Sequence, residues 1–419
     1  MNTIEICGGR RLCGDVRVQG SKNAVLPILA ASVLCSGESV IHNCPDLDDV
    51  RTAFSIIDFL GGKVEYSEHT AVINTENINK CALSEELMGG MRSSVLFLGA
   101  MLSRLKKARI TYPGGCAIGL RPIDMHLKAF RELGVKIDEI SGNIYCNMDE
   151  FVPNTINLPF PSVGATENIM LLAAVSRGET VIVNAAREPE IVDLQNFLNA
   201  TGAKIYGAGS EIIRILGVEK LHKVEYNIIS DRIFAATVCC GAAACGGDVL
   251  LRGAKQEHMR LELSLLGDSG CDVENDAEGV RIKCDGRLMG LGKIITAPYP
   301  GFPTDAQPLF MAALCTADGT TVFAENIFES RYKHISELVK MGADIIVDGR
   351  LAVITGCNYI QGASVEAADL RGGAALVIAG LSAIGDTKIS KLRHIDRGYE
   401  CIEETFSALG ASIRRCGQK

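Results

Sequence analysis

The chain has 419 residues, 47% of them apolar, and its 42 Lys plus Arg against 50 Asp plus Glu give a net charge of -8. That is enough chain for two domains of about 200 residues each, because a single core stops growing beyond about 250–300 residues. The negative balance argues against a nucleic-acid scaffold or a membrane-surface binder, so cations that hold an anionic ligand must be gathered locally. The opening MNTIEICGGRR has no apolar h-region, and apolar runs such as AALVIAGLSAIG are too short to span a membrane, which reads as a cytoplasmic protein. The 16 cysteines are scattered without a CxxC pair and the seven His are dispersed with no HExxH. Reduced, buried thiols, no metal site and no cofactor are the expectation.

Residues 1–20 read as strand-like runs without helices of their own, expected to complete the sheet of the last repeat. Six glycines then close amphipathic segments at 61, 134, 202, 270, 342 and 410, at intervals of 73, 68, 68, 72 and 68. Upstream of each lies a turn and a β-rich run: GESVIHN, KARITYP, GETVIVN, GDVLLRG, GTTVFAEN and GDTKISKL. In the copy over 163–206, VGATENIMLLAAVSRG predicts an apolar helix, GETVIVNA a strand, EPEIVDLQNFLNATGA an amphipathic helix and AKIY a strand. Six such copies imply two domains of three, 22–229 and 1–21 with 230–419, with the active site in the cleft between them.

First helices are expected to open at Lys22-Asn23, Arg92-Ser93, Ser162-Val163, Arg232, Asp305 and Arg371. Second helices are expected at Asp46, Arg121-Pro122, Glu188-Pro189, Glu257, Ser330-Arg331 and Asp396-Arg397. A helix start offers unpaired N–H groups and partial positive charge, so a Lys or Arg beside it makes an anion site; the plainer reading is a solvated cap residue. In YPGGCAIGLRPIDMHL, Pro122 suits the first helical position, placing Arg121 near the cap and Cys116 in a glycine loop before it. A thiol near a helix start and a guanidinium becomes a nucleophile or proton donor, whereas an ordinary cysteine is a small buried hydrophobe. In PGFPTDAQP, Asp305 stands at a helix start as either N-cap or general base.

At these residues the sequence resembles the UDP-N-acetylglucosamine enolpyruvyl transferases, through GSKNAVLPILAAS, MRSSVLFLG, PGGCAIGLRPIDMHL, PSVGATENIM, NAAREPEIVDLQNFL, PGFPTDAQP, DLRGGAALV and HIDRGYE. The resemblance implies an α/β fold of two inside-out α/β barrel domains, like that of EPSP synthase, each made of three helix-strand units. It implies transfer of the enolpyruvyl group of phosphoenolpyruvate to the 3'-hydroxyl of UDP-N-acetylglucosamine with release of phosphate, a step of cell-wall peptidoglycan synthesis. Cys116 then corresponds to the proton donor, alkylated by the epoxide fosfomycin, and Asp305 to the group at the sugar hydroxyl. Lys22, Arg121 and Arg397 correspond to the residues that hold phosphoenolpyruvate, with Asn23 beside Lys22. The nucleotide sugar is assigned to Arg92, Arg121, Pro122, Ile123, Asp124, Met125, Ser162, Val163, Gly164 and Ile327, and the closed site is lined further by Arg331, Asp369 and Arg371. The chain departs from the family's usual DRIEAGT with DRIFAAT, at Phe234 and Ala236, and carries Phe160 where some members have Lys. Two alternatives are a transferase acting on shikimate 3-phosphate, against which the Cys116 loop speaks, and a non-catalytic sugar-nucleotide binder, which has no need of Lys22, Cys116 and Asp305.

Overall fold

All six closing glycines take up left-handed backbone, with φ from 91° at Gly134 to 107° at Gly61, a conformation that residues with a Cβ rarely adopt and that turns a helix end into the next strand. This computed structural model describes residues 2–114 and 122–417, which divide into one unit within 20–229 and another within 1–19 and 230–419.

Each copy begins with an apolar helix: Lys22–Ser32, Leu96–Leu105, Val163–Ala174, Arg232–Cys245, Gln307–Ala313 and Leu370–Ser382. These lack a polar stripe. Every residue of Gln307–Ala313 is buried, as is every residue of Val163–Ala174 from Ala165 onward. A helix that is apolar all round belongs inside a core, and within each unit these helices pack on one another. The second helices are amphipathic: Asp48–Leu60 buries Val50, Ala53, Ile56, Ile57 and Leu60, together with Asp49, and exposes the rest to varying degrees.

Each of the first five copies holds one strand more than the sequence reading expected, and in copy six that strand is Thr3–Cys7 from the start of the chain. The second helix is followed by a hairpin, such as Lys63–Ser67 paired antiparallel with Thr70–Asn74. Its turn uses Glu68 and His69 at positive φ rather than the Gly, Asn or Asp that signals a tight turn in sequence. In five copies the strand after the first helix lies inside a sheet between this pair and a parallel strand, as Gly178–Val183 lies between Ile212–Gly217 and Thr155–Asn157, whereas Lys107–Thr111 of copy two is the edge of a three-stranded sheet. Helices lie within and sheets outside, so the inside-out arrangement holds. The sheets stay separate, five of four strands, one of three and one of two, and no ladder among the described residues closes into a barrel.

The opening strands divide between two sheets rather than both joining the last. Thr3–Cys7 pairs antiparallel with Asp386–Ser390 and Ser412–Cys416 in the sheet of copy six, while Leu12–Arg17 runs parallel to Gly247–Arg252 in that of copy four. The corresponding place in the other unit is filled by Glu225–Asn227, parallel to Glu38–His42.

Lys22, Val163, Arg232 and Pro189 are first helical residues, and Arg92 and Arg331 begin 3₁₀ turns that lead into Leu96–Leu105 and Ile335–Lys340. Other expected starts are displaced. The helices begin at Asp48, not Asp46; at Gln307, past Asp305; and at Ile402, with Asp396-Arg397 ending the short helix Arg393–Asp396. One cause is common to the three aspartates. Arg51 takes the carboxylate of Asp46, Arg331 and Arg371 take Asp305, and Arg415 takes Asp396, so none is left to cap a helix. The helix expected at Glu257 is a 3₁₀ turn, Gln256–His258, before Arg260–Asp268. Pro122 precedes rather than opens its helix, which runs over Asp124–Glu132 with Ile123 at the cap. Copy six opens at Leu370, one residue before Arg371, with Asp369 as its cap.

Fifteen described cysteines are free thiols; eight are buried, but Cys7 and Cys13, on outer strands, are exposed.

Candidate active site

Within the unit of residues 230–419, three starts expected far apart in sequence meet at one carboxylate. Arg331 Nη2 donates to Asp305 Oδ1 at 2.6 Å, and Arg371 Nε and Nη2 each reach Oδ2 at 3.2 Å. Arg331 also anchors its Nε on Thr304 O at 3.1 Å. Both guanidinium groups are buried at 2% exposure, while Asp305 is partly open. Two fixed cations beside a partly open carboxylate are the arrangement that keeps it charged and oriented. Asp305 is therefore held between two arginines instead of serving as the helix cap, which falls at Ala306.

Arg371 is held from behind. Its Nη1 donates to Tyr399 Oη at 3.2 Å, and that hydroxyl shares a 2.7 Å hydrogen bond with Thr237 Oγ1. Burial works against the Arg371 charge, but Tyr399 and Asp305 outweigh it and hold the pKa above the ordinary range. Phe234, the departure from the family's usual acid, packs on Tyr399 with ring centroids 6.1 Å apart. The substitution thus puts an apolar wall behind the arginine's support. Asp369 caps its helix, Oδ1 accepting from Arg371 N and Gly372 N at 3.1 and 3.0 Å. His334 lies buried nearby, and burial pushes its pKa down to about 4 against the pull of Asp369.

Ile327 donates its backbone N–H to Glu325 Oε1 at 2.8 Å, and Glu325 also accepts from the hydroxyls of Thr296 and Thr304, at 3.0 Å each. That bond takes up the backbone N–H of Ile327. Arg397 follows Arg393–Asp396 as its C-cap and, with Arg393, disfavours a proton on His394, whose pKa is lowered mainly by burial.

Within the unit of residues 20–229, Lys22 Nζ lies 2.8 Å from Asp49 Oδ2, both side chains almost fully buried. Ser21 caps this helix by accepting from Ala24 N at 3.3 Å, and Asn23 stands half-buried in its first turn. A second group forms around Val163–Ala174. Ser162 accepts from Ala165 N at 3.4 Å, and Val163 and Gly164 make the first turn. A Cβ on Gly164 would lie 3.1 Å from His126 Cε1, so a larger residue would push the imidazole back by a few tenths of an ångström. Burial, reinforced by Arg92, lowers the His126 pKa to about 3. Glu167, one turn on, holds its proton well above the carboxyl range through burial and the nearby Glu190 and Glu188. Ile123 is buried and Met125 packs on the core, leaving Asp124 the exposed group of the three. Cys116 and Arg121 lie outside the described residues.

Sequence reasoning missed Asp49, His126, Asn168, Glu325 and Tyr399. A signal existed for one: Glu167-Asn168 interrupts an otherwise apolar helix, and a buried polar pair in such a run needs partners.

The model of the EPSP synthase (3-phosphoshikimate 1-carboxyvinyltransferase) family matches residues 6–406. A Caldanaerobacter subterraneus protein named UDP-N-acetylglucosamine 1-carboxyvinyltransferase 2 is 50% identical, over 99% of this chain and 100% of its own. The Trichlorobacter lovleyi UDP-N-acetylglucosamine 1-carboxyvinyltransferase is 45% identical over the whole of both chains. Among solved structures, the enolpyruvyl transferase NikO from Streptomyces tendae superposes with a TM-score of 0.89 at 26% identity, covering 100% of this chain and 99% of that one. The fold is therefore that of EPSP synthase, and the chain belongs to this enolpyruvyl transferase family, among its UDP-N-acetylglucosamine 1-carboxyvinyltransferases.

Proposed function

We propose that this chain transfers the enolpyruvyl group of phosphoenolpyruvate to the 3'-hydroxyl of UDP-N-acetylglucosamine, the first committed step of peptidoglycan precursor synthesis. The observation that carries the reading is the near full-length likeness, at 50% and 45% identity, to relatives of that name in a chain that keeps Lys22, Cys116, Asp305 and Arg397.

In this reading Asp305 takes the proton of the sugar hydroxyl as its oxygen bonds to C2 of phosphoenolpyruvate, and Cys116 delivers a proton to C3. Loss of a proton from C3 then re-forms the double bond as the C2–O bond to phosphate breaks. Lys22, Arg121 and Arg397, with Asn23, hold the phosphate and carboxylate. Ser162, Val163, Gly164, Arg92, Ile327 and the segment 121–125 hold the nucleotide sugar, Arg331 and Arg371 fix Asp305, and Asp369 lines the closed site with them. The ligands bring about five negative charges, which permanent cations and helix ends offset without being reorganised at each turnover. No described helix is long and apolar enough to cross a membrane; we place the reaction in the cytoplasm.

The test is phosphate release from phosphoenolpyruvate with UDP-N-acetylglucosamine as acceptor. Release at least about a hundredfold above a Cys116→Ala control is expected for loss of the proton donor. No release above that control would sink the enzyme reading, and release only with shikimate 3-phosphate would replace it by the sister activity.

A further inference from the structure

The hairpin of copy four sets two cysteines face to face. Asp272–Asp276 and Gly279–Cys284 pair antiparallel around a two-residue turn, with Asp276 opposite Gly279 and Asp272 opposite Lys283. One step beyond that last pair, Cys271 stands opposite Cys284. A two-residue turn is closed by a hydrogen-bonded pair, and such pairs alternate along the ladder with non-hydrogen-bonded ones, in which side chains come closer. Counting back from Asp276 and Gly279 puts Cys271 and Cys284 at a non-hydrogen-bonded position. Two contacts agree with this. Cys271 N donates to Leu266 O at 3.0 Å, turned away from the facing strand. Cys284 is opposite Gly247 of the strand on its other side, and its carbonyl would lie 3.5 Å from a Cβ on Gly246.

Alternation along Gly279–Cys284 turns Val280, Ile282 and Cys284 inward. Cys271 keeps 7% of its surface open where the edge strand of the sheet begins, against 2% for Cys284. The Cys271 thiol hydrogen-bonds to Cys284, which holds the pKa of Cys284 below the ordinary thiol range against burial and raises that of Cys271. A thiolate thus stands beside a thiol, a nucleophile next to the group that can resolve its oxidation product. We propose that Cys271 and Cys284 form a modification site for hydroperoxides, which convert the pair into a reversible disulfide. The Cys284 thiolate attacks one oxygen of hydrogen peroxide and the O–O bond breaks, giving a sulfenic acid and a hydroxide that takes up a proton to leave as water. The Cys271 sulfur, giving up its proton, then displaces the sulfenic oxygen as a second water and forms the S–S bond. Two thiols are oxidised and the two peroxide oxygens are reduced.

Peptide mapping of the folded, unmodified chain after hydrogen peroxide and alkylation of the remaining thiols tests it. The tryptic peptides 261–281 and 284–287, each with one cysteine, are expected to appear joined, with the loss of two hydrogens, and to separate again in dithiothreitol. In Cys271→Ser the reaction should stop at the sulfenic acid, so that dimedone labels Cys284; in Cys284→Ser neither the link nor a label on Cys271 should form. Oxidation of the exposed Cys7 and Cys13 with no link between 261–281 and 284–287 overturns the proposal, and needs no variant to fold. A link from either peptide to Cys239, which lies close enough to act on the Cys271 charge, overturns it as well. Dimedone on Cys271 in the second variant and none on Cys284 in the first overturns the assignment of the attacking thiol.

Discussion

The two units start their first helices at equivalent points but cap them with different chemistry. In the unit of residues 20–229 the caps are serines, Ser21 and Ser162, each accepting one backbone N–H. In the other unit the same places hold Asp231 and Asp369, and one oxygen of each accepts two. The middle copies, at Val95 and Ala306, have no side-chain cap in either unit. A neutral cap satisfies the backbone and leaves the positive end of the helix for an anion. An anionic cap spends that potential internally, and there it stands beside Arg232 or Arg371, whose side chains supply the positive charge. The same architecture thus leaves two helix ends uncompensated in one unit, with Lys22 and Arg92 beside first-helix starts, and offsets anionic caps with Arg232 and Arg371 in the other.

Exchanging the caps should break this division. Ser162→Asp keeps a good cap but sets a carboxylate where we place the nucleotide sugar. It is expected to weaken UDP about 10- to 100-fold with little change in melting temperature; unchanged affinity would mean the neutral cap is not kept for a ligand. Removal is milder. Asp369→Ala is expected to cost about 1–2 kcal/mol in urea unfolding and Ser162→Ala about 0.5–1 kcal/mol, because one cap serves two N–H groups and the other one. Equal losses would show that the charge adds nothing.

The smallest effect concerns Glu167. Its folded pKa lies well above the ordinary carboxyl range, through burial first and repulsion from Glu190 and Glu188 second. Its stabilising share is therefore complete below about pH 4.5 and drains away as pH rises toward the folded value. Between pH 5 and pH 8 the melting temperature of Glu167→Gln should fall less steeply than that of the unmodified chain. Parallel curves would remove Glu167 from the titration.

The repeat was legible in the sequence because its closing glycines obey a local rule: each needs a positive φ that few other residues tolerate. The first helices were legible for a similar reason, as runs with no polar stripe. The hairpin strands were passed over: Glu68-His69 carries no turn signal, but the turns at Ser141-Gly142, Gly207 and Asp348-Gly349 do. At the candidate site, the sequence singled out Asp305, Arg331 and Arg371 but could not say that they touch. The two arginines come from 26 and 66 residues further along, and that distant pairing turned an apparent cap into a charged, oriented carboxylate. Tyr399 acts through another residue's side chain, which no spacing pattern encodes.

The pairing of Thr3–Cys7 with Ser412–Cys416 bears on the order in which the protein can be made. All strands of the 20–229 unit are available once Asn227 has been synthesised, so that unit can fold while translation continues. The other unit's first strand emerges at the outset and must wait, with one edge on Asp386–Ser390 and the other on the final strand, until almost the whole chain exists. Contacts of such separation form slowly and leave strand edges uncovered in the meantime. The arginine-rich unit is thus the last to mature and the one that depends most on protection during synthesis.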